Sequence, residues 1–281
     1  MTTSDTPLPA DSDLITSVRA RPVARARTLH RRTERLDAGL FLAEGPQSVR
    51  EAIDAVDVVH EIFVTEFAFD RYSDLVAAAQ AQNARTYVVT NDVLDALADT
   101  VTPQGIIAVC SFIDVDLGAV ITRTTRLGVL LAQVRDPGNA GTVVRCADAA
   151  GAQGVVFTSG SVDAYNSKTV RASVGSLFHV PFAQGIELAD AVAAAQAAGL
   201  QVLAADGSGD VDLDEAADSG LLAKPTMWLM GNEAWGLPES DAALADAVVR
   251  IPLYGAAESL NLSTAAAICL YASARAQRTT R

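Results

Sequence analysis

Three short runs of the chain combine amides, carboxylates, hydroxyls and glycines directly after an apolar stretch. They are RDPGNAGTVVR (135–145), LMGNEAWGLPE (229–239) and IPLYGAAESLNLSTAAA (251–267). Their chemistry is that of a polar pocket. Asn139, Glu233, Asn261 and Ser263 can hold and orient hydroxyl or amine groups, Arg145 is a permanent cation, and Gly231 and Gly236 let backbone approach a ligand closely. The first run is not a phosphate-binding loop, because no Lys follows its glycines and GxGxxG is absent. Taken singly, each residue also has an ordinary use. Arg145 can sit on the surface or in an ion pair, Glu233 can cap a helix or balance a charge, and Asn261 or Ser259 can cap the last helix.

The elements that would carry these runs alternate. LFLAEG (40–45), VVHEIFVT (58–65), TYVVT (86–90) and IIAVCSF (106–112) read as strands, separated by helical periodicity over 46–55, 72–82 and 91–99, with Asn91 as N-cap. A helix is expected from Leu14 to about Arg35, with Pro22 as a candidate break. Residues 113–126 are polar and read as a linker. LGVLLAQV (127–134) is a near-continuous apolar run, as expected of a strand buried on both faces. Further strands are expected over 154–160, 200–206, 225–233 and 247–253. Helices are expected over 138–151, stopped by Gly151, and over 187–199 and 261–277. Two α/β domains of unequal size follow. In open α/β sheets ligands lie at the carboxyl ends of the strands, where the three runs would meet.

Composition removes several classes. Half the 281 residues are apolar and 20% are charged, an ordinary globular balance. No apolar run reaches the ~18–20 residues of a membrane span. The N-terminal MTTSDTPLPADSD is polar and acidic, unlike a secretory signal or an Arg-rich transit peptide, and residues 1–12 read as a disordered tail. Cys110, Cys146 and Cys269 lie far apart in apolar stretches and read as buried thiols. His30, His60 and His179 show no ligand spacing, so no metal site is expected. The acidic stretch Asp206–Asp218 reads as a solvated loop, since its glycines and acids do not fit an EF-hand frame.

In their order, the three runs resemble the motifs of the SpoU (TrmH) family of RNA ribose 2′-O-methyltransferases. Asn139, Gly141 and Arg145 stand at the spacing of the first motif. Gly231, Asn232 and Glu233 match the second. Ile251 and Pro252, followed by Glu258, Ser259, Leu260, Asn261 and Ser263, match the third. VRASVGSLFHVP (170–181) looks like the family's Arg-Ala-Ser-x-Gly segment. The resemblance spans about residues 127–278. FLAEG (41–45) is similar to the family's small ribosomal-protein-like substrate-binding domain. One residue departs: the family has Gly after the motif Glu, and here it is Ala234, which would be strained wherever φ > 0 is needed.

The resemblance implies an α/β fold with a trefoil-knotted methyltransferase domain over 127–281, preceded by a smaller α/β RNA-binding domain over 13–112. It implies S-adenosylmethionine as cofactor, held by backbone near Leu229, Gly231, Asn232, Ile251, Leu253 and Leu260. It implies a cytoplasmic homodimer acting on structured RNA. The target is expected to be 23S ribosomal RNA. The alternatives are tRNA or a non-catalytic RNA-binding dimer that keeps the knot. Arg145 is then the essential arginine, Asn139 positions ribose or phosphate, Glu233 orients Arg145 or the substrate, and Asn261 and Ser263 complete the polar pocket. Trp235 would pack at a subunit contact or stack on a base.

The net charge of −13 opposes a polyanionic partner. Resolved along the chain, residues 19–35 hold seven Arg and one Glu, a local +6, which leaves −19 elsewhere. The expected RNA surface therefore joins Arg25, Arg27, Arg31 and Arg32 to the motif loops and Arg171, with Arg275, Arg278 and Arg281 at the end.

Overall fold

The computed structural model describes residues 14–279, which form two compact units. The tail expected at 1–12 and Arg281 lie outside the described residues.

The first unit is built on four strands: β1 (Leu40–Glu44), β2 (Val59–Thr65), β3 (Arg85–Val89) and β4 (Ile106–Ser111). Their order is β1-β4-β2-β3, with β4 antiparallel to both neighbours and β2 parallel to β3. The single helix expected from Leu14 to Arg35 is instead two, Arg21–Thr28 and Arg32–Ala38. Pro22 does not break a helix. It sits in the first turn, where a missing N–H costs nothing. The break falls at Leu29–Arg31. There the buried Arg35 guanidinium donates to Leu29 O at 2.8 Å and His30 O at 2.9 Å, which satisfies carbonyls freed at the helix end. Val23, Ala26 and Leu29 then bury against Leu42, Phe63, Val89 and Leu97. The helix expected from Asn91 starts there, but Thr90 is its cap and no side chain closes it.

The first unit also takes residues Tyr165–Phe178, so the expected 127–281 domain has one excursion. Tyr165 is the reason the segment stays there. Its ring stacks on Phe112 at 4.0 Å and on Phe41 at 4.7 Å, and its hydroxyl accepts Ile113 N at 2.7 Å.

The second unit is a seven-stranded parallel sheet: β5 (Leu127–Leu131), β6 (Val155–Thr158), β7 (Phe182–Ile186), β8 (Gln201–Ala205), β9 (Val211–Asp212), β10 (Thr226–Met230) and β11 (Ala247–Arg250), in the order β7-β6-β5-β10-β8-β11-β9. All five residues of β5 and of β10 are buried, as two-sided cover by helices requires. The chain runs outward from β5 to β7, returns to the other side for β8 and β9, and then places β10 between β5 and β8. A crevice opens beyond the carboxyl ends of β10, β8 and β11, beside that reversal.

Two expectations are corrected here. The acidic stretch is not a plain loop, because it contains β9 and the helix Leu213–Asp218, whose Leu213 and Ala216 are buried. Asp212 caps that helix by accepting Asp214 N at 2.9 Å, and Arg250 pairs with Asp212 at 3.5 Å. The linker also holds a helical turn, Leu117–Val120, whose Val120 joins the core. Two longer helices frame the crevice. Pro137–Ala150 begins with Asp136 accepting Asn139 N at 2.8 Å and stops at Gly151 in the left-handed conformation, with φ of 73°. Leu262–Thr279 packs against it.

Candidate active site

Each of the three motif runs leaves the carboxyl end of a strand, and the fold brings them together. Glu233 is the centre. One carboxylate oxygen accepts Arg135 N at 3.3 Å, and the other accepts Asp136 N at 3.2 Å and Asn139 Nδ2 at 3.3 Å. Asn139 in turn accepts Asn261 Nδ2 at 2.9 Å. Asn261 Oδ1 accepts Ser263 N at 2.9 Å and the Ser263 hydroxyl at 2.6 Å, and so caps the Leu262–Thr279 helix. The capping role and the site role thus belong to one residue. The outcome is a hydrogen-bonded row, Glu233–Asn139–Asn261–Ser263, in which directly bonded side chains lie up to 122 positions apart.

The second loop is held tightly. Asn232 N donates to Gly236 O and Gly236 N donates to Asn232 O, both at 2.9 Å. The buried Asn232 side chain accepts Ala234 N at 2.8 Å and donates to Gln133 O at 2.7 Å, tying this loop to the end of β5. The left-handed residue of the loop is Gly236, with φ of 67°, and Ala234 is not left-handed. The strain anticipated at Ala234 is therefore absent.

Beside this row lies a cavity of ≈ 500 Å³. Gly231, Asn232, Ile251, Leu253 and Leu260, which the resemblance assigns to the cofactor, line it together with Met230, Asp206 and Glu258. Leu229 does not line it, since it is fully buried in β10 and packs into the core. Asp206 was hidden in the acidic stretch. Its signal was position: an Asp-Gly pair that ends an apolar strand is a strand-end loop. Neither Ser263 nor Arg145 reaches the cavity wall.

Arg145 is exposed, on the outer turns of the Pro137–Ala150 helix, and makes no hydrogen bond or ion pair among the described residues. The expectation that Glu233 orients it is not met, because Glu233 bonds the first turn of that helix instead. The Arg145 charge is felt by Cys146, whose thiol burial pushes up and the guanidinium pulls partly back.

In the first unit four of the five expected RNA-contacting arginines have protein partners. Arg25 pairs with the buried Glu61, which raises its pKa. Arg27 donates to Ala96 O at 3.1 Å, and Arg31 pairs with Glu34 at 3.0 Å. Arg32 is exposed. Arg171 bonds Glu44 at 3.3 Å and Asp99 at 2.9 Å, and holds the Asp99 carboxyl below its usual range. The fold leaves these arginines in the first unit and the polar row in the second.

The SpoU rRNA methylase family matches residues 126–271, the span that holds the whole row and cavity. The chain belongs to this family. A second match, to the MRM3-like substrate binding domain, covers residues 21–108. Among SpoU relatives, the 23S rRNA (guanosine(2553)-2′-O)-methyltransferase of Bacillus subtilis is 35% identical over 92% of this chain and 97% of its own length. The 23S rRNA (uridine(2479)-2′-O)-methyltransferase of Streptomyces viridochromogenes is 33% identical over 93% of this chain and 91% of its own. The AdoMet-bound rRNA methyltransferase of Sinorhizobium meliloti superposes with a TM-score of 0.80 at 31% identity, covering 94% of this chain and 98% of that one.

Proposed function

We propose that this SpoU-family chain transfers the methyl group of S-adenosylmethionine to a ribose 2′-hydroxyl of 23S ribosomal RNA. The observation that carries the reading is the Glu233–Asn139–Asn261 row beside a cavity of ≈ 500 Å³, at the point where the strand order reverses. The named activities of the two relatives above support the same reaction and the same RNA.

The cavity fits the cofactor. Ile251, Leu253, Leu260 and Met230 supply apolar wall for a flat base, and Asp206, Glu233 and Glu258 suit a ligand bearing ammonium and sulfonium charge. A Cβ at Gly231 would fall 2.6 Å from the Gly236 backbone, so the wall can stand close to a ligand only with glycine there. When bound, S-adenosylmethionine supplies a methyl already activated by its sulfonium.

The protein must bring a hydroxyl close and in line and ease the loss of its proton. Asn139 and Asn261 are fixed by each other and by Glu233, and offer an amide edge to hold the ribose in place. Arg145 carries a permanent positive charge, so it does not act as a base. It lowers the cost of the developing alkoxide or clamps the neighbouring phosphate, and its freedom from protein partners leaves it available to do so. Tyr271, 69% exposed on the Leu262–Thr279 helix, supports a second copy covering that helix. The placing of β10 and β11 between earlier strands supports a threaded chain at this site. A ribosomal RNA substrate supports a cytoplasmic location.

Arg145→Ala tests the assignment. Methyl transfer to unmodified 23S rRNA is expected to fall at least ~100-fold, with S-adenosylmethionine affinity by calorimetry unchanged. Near wild-type transfer would sink it. Mapping 2′-O-methyl sites in total RNA from a deletion strain and its parent identifies the nucleotide.

A further inference from the structure

The chain has two tryptophans, and they differ in kind. Trp228 in β10 is fully buried, with its indole N–H on Ser273 Oγ at 3.0 Å. Trp235 is 51% exposed, in the loop that carries Gly231 and Glu233. An indole ring left half in water on a rigid loop forgoes apolar burial that a folded core would have supplied. Its position is nonetheless fixed. The loop is closed on one side of the ring by the paired Asn232–Gly236 backbone bonds, and Glu233, two residues away, is anchored on the backbone of Arg135 and Asp136. The Arg135 guanidinium stands 5.1 Å from the ring centroid, in cation–π contact.

Trp235 and Arg135 therefore form a preformed aromatic–cationic platform on the same two loops that build the Glu233–Asn139 pair. Glu233, Glu258 and Asp206 line the neighbouring cavity and make it acidic, while Trp235 and Arg135 stand outside its lining, on the loops that carry Glu233 and Asn139, and Arg135 supplies positive charge there. A ring with one cation beside it, at the edge of a site for ribose, suits a planar group joined to a phosphate chain. Proteins hold unpaired nucleotides in this way, with the base on an aromatic or guanidinium face and no demand on its identity.

We propose that Trp235, supported by Arg135, is a positioning residue that stacks on an unpaired base of the RNA substrate at or next to the methylated nucleotide. The inference rests on the RNA 2′-O-methyl transfer reading above and adds the element that holds the substrate base. Stacking fixes the sugar relative to Asn139 and Asn261, so its loss raises the RNA requirement and leaves the cofactor site alone.

The test compares wild type, Trp235→Phe and Trp235→Ala, each as the full chain with unmodified 23S rRNA transcribed in vitro. Trp235→Ala is expected to raise the KM for RNA about tenfold or more. S-adenosylmethionine affinity and sedimentation should not change, and Trp235→Phe should restore most of the loss. RNA should quench the exposed indole emission of wild type and leave that of Trp235→Phe, which reports only Trp228, unmoved. An unchanged KM in Trp235→Ala overturns the proposal. So does a loss that appears as weaker cofactor binding, or as a shift in subunit assembly, which would make the ring a packing residue. A wild-type protein that methylates no RNA refutes the functional reading itself, a separate result visible in the control arm.

Discussion

Gly231 offers the most exposed test of how the cofactor cavity is shaped. A methyl group added there would lie 2.6 Å from the carbonyl carbon and oxygen of Gly236 and 2.8 Å from Leu237 Cγ. Gly236 cannot step back, because two 2.9 Å backbone bonds join it to Asn232, and Asn232 is buried and bonded to Gln133 O. Gly231→Ala must therefore open the Asn232–Gly236 pair. Two backbone bonds at ~0.5–1.5 kcal/mol each give about 1–3 kcal/mol. Part of that cost falls on cofactor affinity, because the same loop forms the cavity wall, and 1–3 kcal/mol corresponds to a ~5- to 150-fold weaker Kd. Isothermal titration with S-adenosylmethionine measures the affinity, and calorimetric unfolding should show Tm lowered by ~2–4 °C per kcal/mol. Gly118→Ala is the matched control. Gly118 lies in the Leu117–Val120 turn with nothing within 4 Å of an added Cβ and no positive φ, so stability should hold or rise slightly. If Gly231→Ala bound cofactor and melted as wild type does, close approach of the two glycines would not be what shapes the cavity.

Asn261→Ala removes the cap of the Leu262–Thr279 helix and the link to Asn139 together. It should cost ~1 kcal/mol of stability, seen in urea unfolding, and lower methyl transfer by a larger factor than that loss explains. Arg35→Ala should destabilise the first unit by ~1–3 kcal/mol, since it strips Leu29 O and His30 O of a buried donor, whereas Arg32→Ala should leave Tm unchanged and weaken RNA binding in a salt-dependent way. Thiol alkylation should reach Cys146 alone in the native protein. Burial pushes the Cys269 thiol up to about 12 and the Cys110 thiol higher still, so neither forms thiolate near pH 8. The Arg145 charge favours the Cys146 thiolate, so Arg145→Ala should raise that pKa and slow alkylation of Cys146 at fixed pH, as followed by mass spectrometry.

The sequence by itself determined nine of the eleven strands, all but β7 and β9, because continuous apolar runs such as LGVLL and TMWLM suit strands buried on both faces of a parallel sheet. It determined the three motif runs and most of the cavity wall, because glycines, amides and acids placed directly after such strands fall at the sheet's carboxyl end. It narrowed the cap of the last helix to Asn261 or Ser259, and the structure selects Asn261, whose side chain accepts the N–H groups two and three residues on. Tertiary structure decided whatever depends on partners distant in sequence. Arg35 and Arg32 are three residues apart and of one type, yet one is buried on carbonyls and the other is exposed. Glu233 serves Asn139 and the backbone of residues 135 and 136, not Arg145, because the first turn of the helix faces the loop while Arg145 falls on the helix's exposed face, away from the buried Val143, Val144 and Ala147. The division of the two tryptophans, one buried in a strand and one half-exposed on the loop that carries Glu233, was likewise invisible to composition. Periodicity fixes which face of an element is apolar. Which polar group meets which is settled only when the chain brings residues a hundred positions apart within hydrogen-bond distance.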